Sequence, residues 1–501
     1  MTAARELLPG ETHMPGTRTR PNILLVVTDQ HRFDCLGAND NAIIQTPALD
    51  SLTREGMRFD RAYSCIGLCS PARASLLTGL YPHNHGVFTN IHDIHGVTQW
   101  ESLPNPLETL PGRLSRAGYQ TAHTGKWHLG PHSPLDHGYH RIGTWDGDGA
   151  QDRYRQDLIS RLDTSGWETR NAVARRLPNG REFPFCSHEP GPPELSPSAF
   201  IAETAIDLLN EFARDDDHPF FITANFYGPH LPFRTHEPFS SMYHPAEIPE
   251  WPAFRDTLDG KPFQHRRMRE YWGTEGLPWS WWQPVVAACY GFISMIDAQI
   301  GRVLTRLDKL GLAENTLVCY TTDHGDTCGD RGMFDKGYTM YEELYHIPLL
   351  VRWPGVVEAG SNCAEFVNSI DLAPTWMEVA NAGCFERCDG RSLLPLLRGQ
   401  QPSDWPQEVV CEFHGMQWSL TSQRMLRDRR HKYVWNGTDR EELYDLDRDP
   451  AELENIADDQ ASQHVKRGLR DRLFNKMWET GDHFATWISR RPDNPRYTRY
   501  G

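Results

Sequence analysis

Asp29-Gln30 and Asp323-His324 each stand just after a continuous apolar run, and together they offer oxygen donors and one imidazole. The first run is Asn22-Ile23-Leu24-Leu25-Val26-Val27 and the second is Thr316-Leu317-Val318-Cys319-Tyr320-Thr321-Thr322. Their length and β-branched content suit strands buried on both faces, as in a parallel sheet. In open α/β sheets, ligand sites form beyond the carboxyl ends of the strands, so two such ends could share one divalent cation. Oxygen-rich coordination favours Ca²⁺ or Mg²⁺, and the imidazole admits Mn²⁺ or Zn²⁺. Either aspartate alone would serve equally well as a cap for the turn or helix that follows. The matched pair is what points to metal. A third reactive type is Cys69, which opens the run Cys69-Ser70-Pro71-Ala72-Arg73-Ala74-Ser75-Leu76-Leu77-Thr78-Gly79. Taken by itself it reads as a buried cysteine at a loop–helix junction.

The elements that must position these residues are legible in the same pattern. A third apolar run, Pro219 to Phe226, ends near His230, and a fourth, Ile347 to Val351, reads as an edge strand because of Pro348. Ala202 to Phe212 and Ile293 to Leu307 each carry their apolar residues on one helical face. Strands alternating with helices predict an α/β fold with a large, mostly parallel sheet. Composition changes near Asp389-Gly390. Glu408–Phe413 and His431–Trp435 read as short strands; the chain then passes Leu443 to Asp447, and a charged helix is expected from Ser462 to Trp478. The expected division is therefore a leader over 1–20, a catalytic α/β domain over 21–385, and a smaller α+β domain with an antiparallel sheet and tail over 386–501.

A formal net charge of −16 argues against a nucleic-acid partner, which would need basic clusters. An anionic substrate is still compatible, since cations gathered in one cleft reverse the local field. No stretch reads as the roughly 20 apolar residues of a membrane span, and no membrane partner is expected. Met1 to Arg20 is polar, holds Pro9, Gly10, Pro15 and Gly16, and lacks the pattern of a secretory signal. Eleven scattered cysteines fit a reducing compartment better than a disulfide framework, so the expected location is cytoplasmic. Oligomeric state has no signature.

The Cys69-x-Pro71-x-Arg73 spacing resembles the signature of the bacterial formylglycine-dependent sulfatases of the alkaline-phosphatase-like superfamily. The resemblance continues in family order through Thr28-Asp29-Gln30-His31, Thr46-Pro47-Ala48-Leu49-Asp50 and Tyr81-Pro82-His83. Gly125-Lys126-Trp127-His128-Leu129-Gly130, Gly228-Pro229-His230 and Thr322-Asp323-His324-Gly325-Asp326 follow. Lys336, Ile347 to Gly355, Asp389 to Leu393 and Glu442 to Leu446 complete it. The resemblance implies that a formylglycine-generating or maturase enzyme oxidises Cys69 to an aldehyde. It implies a metal shell of Asp29, Gln30, Asp323, His324 and the modified residue 69, filled by one divalent cation, Ca²⁺ ahead of Mn²⁺ or Mg²⁺. Arg73 would hold the modified side chain, and Lys126, His128, His230 and Lys336 would surround the sulfate.

The implied reaction is two-step covalent catalysis on a small-molecule or saccharide sulfate ester. One hydroxyl of the hydrated aldehyde attacks sulfur while His230 or Lys336 protonates the departing alcohol. His128 then takes the proton of the second hydroxyl, sulfate leaves and the aldehyde returns. Two positions depart from the usual pattern: Gln30 stands where many members have Asp, and His324 where many have Asn. The same pairing occurs in relatives acting on choline sulfate, phosphonate monoesters or phosphodiesters, so a phosphonate monoester or phosphodiester hydrolase is the alternative. An inactive binding homologue is disfavoured, because none of the implied catalytic positions is eroded.

Weaker signals remain. His83, His85, His92 and His95 lack cysteines at zinc-ligand spacing and read as a polar loop near the cleft. Asn90, close behind the cysteine motif, is expected to reach the substrate. Tyr271, Trp272, Trp279, Trp281 and Trp282 would either stack on a sugar or sit in the core. His346 replaces an arginine common in relatives, and Glu412 and His414 fall where relatives lend substrate contacts. Asn436-Gly437-Thr438 matches a glycosylation acceptor but reads as a turn. Ile91 to Trp100 and His236 to Trp282 are the expected specificity loops.

Overall fold

The computed structural model describes residues 20–91, 102–104, 107–146, 148–416 and 421–484. The proposed leader up to residue 19, and His92 and His95, lie outside the described residues. The central layer is an eight-stranded sheet. Its spatial order is Ser361–Asn368, Met57–Tyr63, Leu349–Arg352, Thr316–Thr322, Asn22–Thr28, Phe220–Asn225, Gln120–Gly125, Arg141–Ile142. All pairings are parallel except those of Leu349–Arg352, which runs antiparallel to both neighbours. The two predicted central strands are adjacent, with Asn22 opposite Thr316 and Thr28 opposite Thr322. Every residue of both is buried. That is why their sequences are continuous apolar runs rather than alternating ones.

The strand at Leu349–Arg352 corrects the edge-strand expectation, since it lies inside the sheet. Pro348 precedes the ladder, so its missing N–H removes no ladder bond, and its carbonyl accepts from Thr321 Oγ1 at 3.0 Å. Helices cover both faces. Pro197–Phe212 and Trp279–Lys309 pack on one side, with Ala205, Leu209, Ile300 and Leu307 in the same core as Leu24 and Val26. On the opposite face Ile23, Leu25 and Val27 meet Leu76, Leu77 and Trp376.

Trp279–Lys309 is long and apolar enough, by length and composition, to cross a bilayer, contrary to the sequence expectation; 83% of its apolar window is buried inside the fold. The aromatic cluster expected either to stack on a sugar or to fill the core does the latter. Trp272 and Trp282 are buried and meet Phe185 and Phe334 edge-on or tilted, while Trp279 donates to the Ile248 carbonyl.

Beyond the main sheet lies a four-stranded antiparallel sheet of Glu408–Phe413, Gln423–Asp428, His431–Asn436 and Glu442–Asp445. The helix Gln463–Thr480 covers it through Leu469, Leu473 and Met477. Gln423–Asp428 was not expected, because Arg424 and Arg427 interrupt its apolar pattern; Arg424 is nonetheless fully buried against Asp482. Asn436 ends a strand and buries its amide against Arg440 O and Glu442.

Candidate active site

The helix Cys69–Thr78 begins on the cysteine itself, with Leu68 as an extended N-cap and all ten residues buried. Pro71 suits the first turn, where its missing N–H is not needed. At the other end Gly79 has φ +67 and terminates the helix; a Cβ there would stand 2.8 Å from Cys388 Sγ. The helix N-terminus presents residue 69 to the ends of the two central strands, where its positive dipole end favours anionic character.

Asp29, Cys69, Asp323 and His324 converge so closely that one donor atom of each lies within 4.8 Å of the others, and all four are buried. Cys69 Sγ is 3.2 Å from His324 Nε2 and 3.8 Å from Asp29 Oδ1. Asp323 Oδ1 accepts the N–H groups of Gln30 and His324 at 3.1 and 2.9 Å. Its other oxygen, Oδ2, receives no hydrogen bond although it lies 2.9 Å from Arg73 Nη2. A buried carboxylate with one oxygen that receives no hydrogen bond, gathered with a second carboxylate, a sulfur and an imidazole, fits a divalent cation.

Cations crowd the same point. Arg73 Nη2 is 2.9 Å from Asp29 Oδ2, and Lys126 Nζ is 2.6 Å from that oxygen. Lys336 Nζ donates to Gln30 Oε1 at 2.7 Å and lies 3.5 Å from Asp335. Burial opposes ionisation of Asp29, yet Lys126, His230, Arg73 and Lys336 overcome it and hold that carboxyl well below the usual range. Burial and Asp29 instead push Asp323 up. Burial also works against the Cys69 thiolate, but Lys126, Lys336 and His324 bring the thiol well below its ordinary value. His324 resists charging by burial, and Asp323 with Cys69 still raises it to about 9. Ligation would displace its proton at Nε2.

Gln30 has φ +70, and its amide nitrogen donates to Asp326 at 2.6 Å and to Asp335 at 3.2 Å. Its amide is thus a hub between two acids and Lys336, beside the four-residue cluster. An aspartate at this position would face Asp326 and Asp335 as a like charge, which gives the Asp-to-Gln departure a physical reason. Asn90 accepts the N–H of Ser70 at 3.1 Å, and Ser70 Oγ donates to His128 O at 2.7 Å. His128 is left neutral by burial and by Lys126. His230 is partly exposed at the cleft, with Nδ1 2.7 Å from Leu231 O.

A family model described as Sulfatase matches residues 21–382. The chain belongs to the sulfatase family. A second model, described as N-sulphoglucosamine sulphohydrolase, C-terminal, matches residues 329–479 of this sulfatase. An arylsulfatase of Clostridium perfringens is 30% identical, covering 91% of this chain and 94% of its own. The multifunctional alkaline phosphatase superfamily protein PehA of Trinickia caryophylli is 32% identical over 95% and 98%. Among solved structures, the phosphonate monoester hydrolase of Agrobacterium radiobacter superposes with a TM-score of 0.74 at 26% identity, covering 92% of this chain and 96% of that one. The sulfatase is therefore a hydrolase, and its family implies a metal and an oxidised cysteine at the cluster around Cys69.

Several residues around the site carried no expectation. Asp326 and Asp335 bind the Gln30 amide, and Asn225 accepts from Arg73 at 3.3 Å. Their only signal was proximity to quoted motifs: Asp326 closes the run after His324, Asp335 precedes Lys336, and Asn225 ends an apolar strand. His346 finds its explanation away from the cluster. It stacks on Phe33 with ring centroids 3.7 Å apart, flanks Tyr63, and lies 2.9 Å from Asp60 O through Nε2.

Proposed function

We propose that this sulfatase hydrolyses a sulfate monoester of a small molecule or saccharide, with residue 69 oxidised to formylglycine by a separate maturation enzyme. One divalent cation, Ca²⁺ ahead of Mn²⁺ or Mg²⁺, belongs to the same reading. The observation that carries it is the single buried point where Asp29, Cys69, Asp323 and His324 meet while Arg73 and Lys126 pair with Asp29. With both groups in place, the cation would polarise the sulfate and the aldehyde hydrate would supply the attacking hydroxyl.

The chain's own residues do the rest. Lys126 and Lys336 offset negative charge that gathers on the non-bridging oxygens in the transition state. Arg73 bridges Asp29 and Asp323 and holds both in place. His230 or Lys336 gives a proton to the departing alcohol oxygen, and neutral His128 accepts one from residue 69 when sulfate is expelled. In sum one water is consumed, the ester sulfur–oxygen bond breaks, and the alcohol and sulfate leave. The name of the model matching residues 329–479 supports a sulfated sugar among the substrates.

Gln30 and His324, with the resemblance to a phosphonate monoester hydrolase and to a multifunctional relative, support a second reading. In it the same site prefers phosphonate monoesters or phosphodiesters. The test is turnover of matched aryl sulfate, aryl phosphonate and aryl phosphodiester substrates, with a panel of sulfated sugars. It is run on protein whose tryptic peptide covering Cys69 shows the aldehyde mass. Sulfate turnover exceeding the other classes supports the first reading, and a dominant phosphorus ester replaces it with the second. Full activity with an unmodified thiol overturns both.

A further inference from the structure

Lys126 and His128 leave the end of the strand Gln120–Gly125 on a tight turn. Gly125, at φ +98, runs so close to the neighbouring strand that a Cβ would lie 1.8 Å from Asn225 O. His128 has φ +54, a left-handed backbone that a histidine adopts only when its surroundings hold it there. This turn aims two successive N–H groups, those of Trp127 and His128, at one point. Successive N–H groups so aimed form a concavity that binds an anion. Its occupant is Asp146: Oδ2 accepts from Trp127 N at 3.1 Å and from His128 N at 2.6 Å.

The other oxygen of the same carboxylate reaches a second strand end. Asp146 Oδ1 accepts the hydroxyl of Tyr227 at 2.7 Å, and Tyr227 lies just past the strand Phe220–Asn225, on the segment that carries His230. One carboxylate therefore joins the loop bearing Lys126 and His128 to the loop bearing His230. Trp127 between them is buried, anchored against His123 and Tyr139, so the backbone cannot roll without moving both flanking side chains. None of these contacts involves the four residues that gather around Cys69.

We propose that Asp146, assisted by Tyr227, is a positioning residue that sets the placement of Lys126, His128 and His230 around the anionic group of the ester. The proposal rests on the reading that these three side chains handle that group. Asp146 acts through the backbone of the turn and does not touch the reacting atoms.

The test is a double-mutant cycle joined to hydrogen exchange, with aldehyde content and melting temperature matched between variants. Asp146→Ala lowers kcat by about 100-fold, as expected when catalytic groups drift by about 1 Å. Asp146→Asn, which keeps one acceptor oxygen, costs about tenfold, in the range of supporting-residue substitutions. In a His128→Ala background, Asp146→Ala costs about tenfold further, because the share lost through His128 is already gone while Lys126 and His230 still drift. An equal loss in both backgrounds overturns the proposal. Amide exchange of the peptide holding Trp127 and His128 accelerates in Asp146→Ala but stays slow in Asp146→Asn, whose amide oxygen still accepts both N–H groups, and in Tyr227→Phe, which leaves the concavity filled. Retained protection in Asp146→Ala overturns the proposal whatever ester the enzyme prefers. The cycle is run on whichever ester class the wild type turns over, so a failure of the sulfate assignment is separately visible.

Discussion

Two buried clusters in this chain hold nearly the same side chains, yet only one is built for chemistry. Around Cys69, two aspartates and a histidine meet a thiol; at the seam with the four-stranded sheet, His83, Glu412 and Asp482 also bring donor atoms within 4.8 Å of one another. In the second cluster every carboxylate oxygen is hydrogen-bonded. Glu412 bonds to His83 through one oxygen and accepts from His414 Nε2 at 2.9 Å through the other, while Arg424 Nε takes Asp482 Oδ2 at 2.6 Å. Both clusters hold a buried guanidinium, Arg424 on Asp482 and Arg73 on Asp29 and Asp323, so positive charge does not tell them apart. At Cys69 the Asp323 Oδ2 oxygen lies beside Arg73 but receives no hydrogen bond. What separates a site from a structural knot is therefore unspent bonding capacity, and residue type alone does not reveal it.

The contrast can be broken in several places. The largest effect is expected from Cys69→Ala, which should reduce turnover by about 10⁴-fold or more, the scale of losing a nucleophile. Glu412→Gln in a steady-state assay should leave turnover per folded molecule within about threefold, since substitutions outside the reacting set seldom act on kcat. Equal losses would erase the distinction. Next, elemental analysis of active enzyme should find one divalent ion per chain, and removing it with a chelator should abolish turnover; two ions per chain would make the seam a metal site as well.

On stability the order reverses. Glu412→Ala should cost about 3–5 kcal/mol in urea unfolding, because it strands buried charge on Arg424 and His83. The smallest effect is in pH. His83 resists charging by burial, but Glu412 raises its pKa above 6.5, so its contribution is full below that value and fades as pH climbs through the folded pKa. Burial likewise opposes Glu412, yet His83 and Arg424 hold it below 4.5, so its contribution is full above 4.5 and fades as pH falls through the folded value. The stability difference between wild type and His83→Asn should thus peak between pH 4.5 and 6.5. A difference that is flat with pH would show that the pair carries no charge.

The central strands and their catalytic ends were legible because residues buried on both faces must be apolar, and the polar residue that follows is conspicuous. Gln120–Gly125 was not, although it carries the loop of Lys126 and His128. It is buried through polar side chains that bond sideways, Thr121 to Gly138 O at 2.8 Å and Thr124 to Thr204 at 2.6 Å. Met57–Tyr63 hides in the same way behind Arg58, Asp60 and Arg61. The Cys69, Asp29 and Asp323 grouping could be inferred from spacing and resemblance. Asp146 could not, since only the turn that brings it back onto Trp127 and His128 gives it a role. The antiparallel strand was misplaced because a proline beside a strand excludes only positions that must donate, and Pro348 sits at none.

That reversed strand bears on how such an enzyme can change. The chain leaves the sheet after Thr322 and re-enters at Leu349 on the same side, opposite Thr321. The whole excursion from Asp323 to Pro348, including Lys336, stays at the catalytic end. A parallel re-entry would have had to cross back to the opposite end of the strands. Nearly all of this excursion is buried, so its side chains rather than its length are what can change while both flanking strands keep their register. A side-chain exchange there acts on the ester site directly, and the strands on either side keep their pairing.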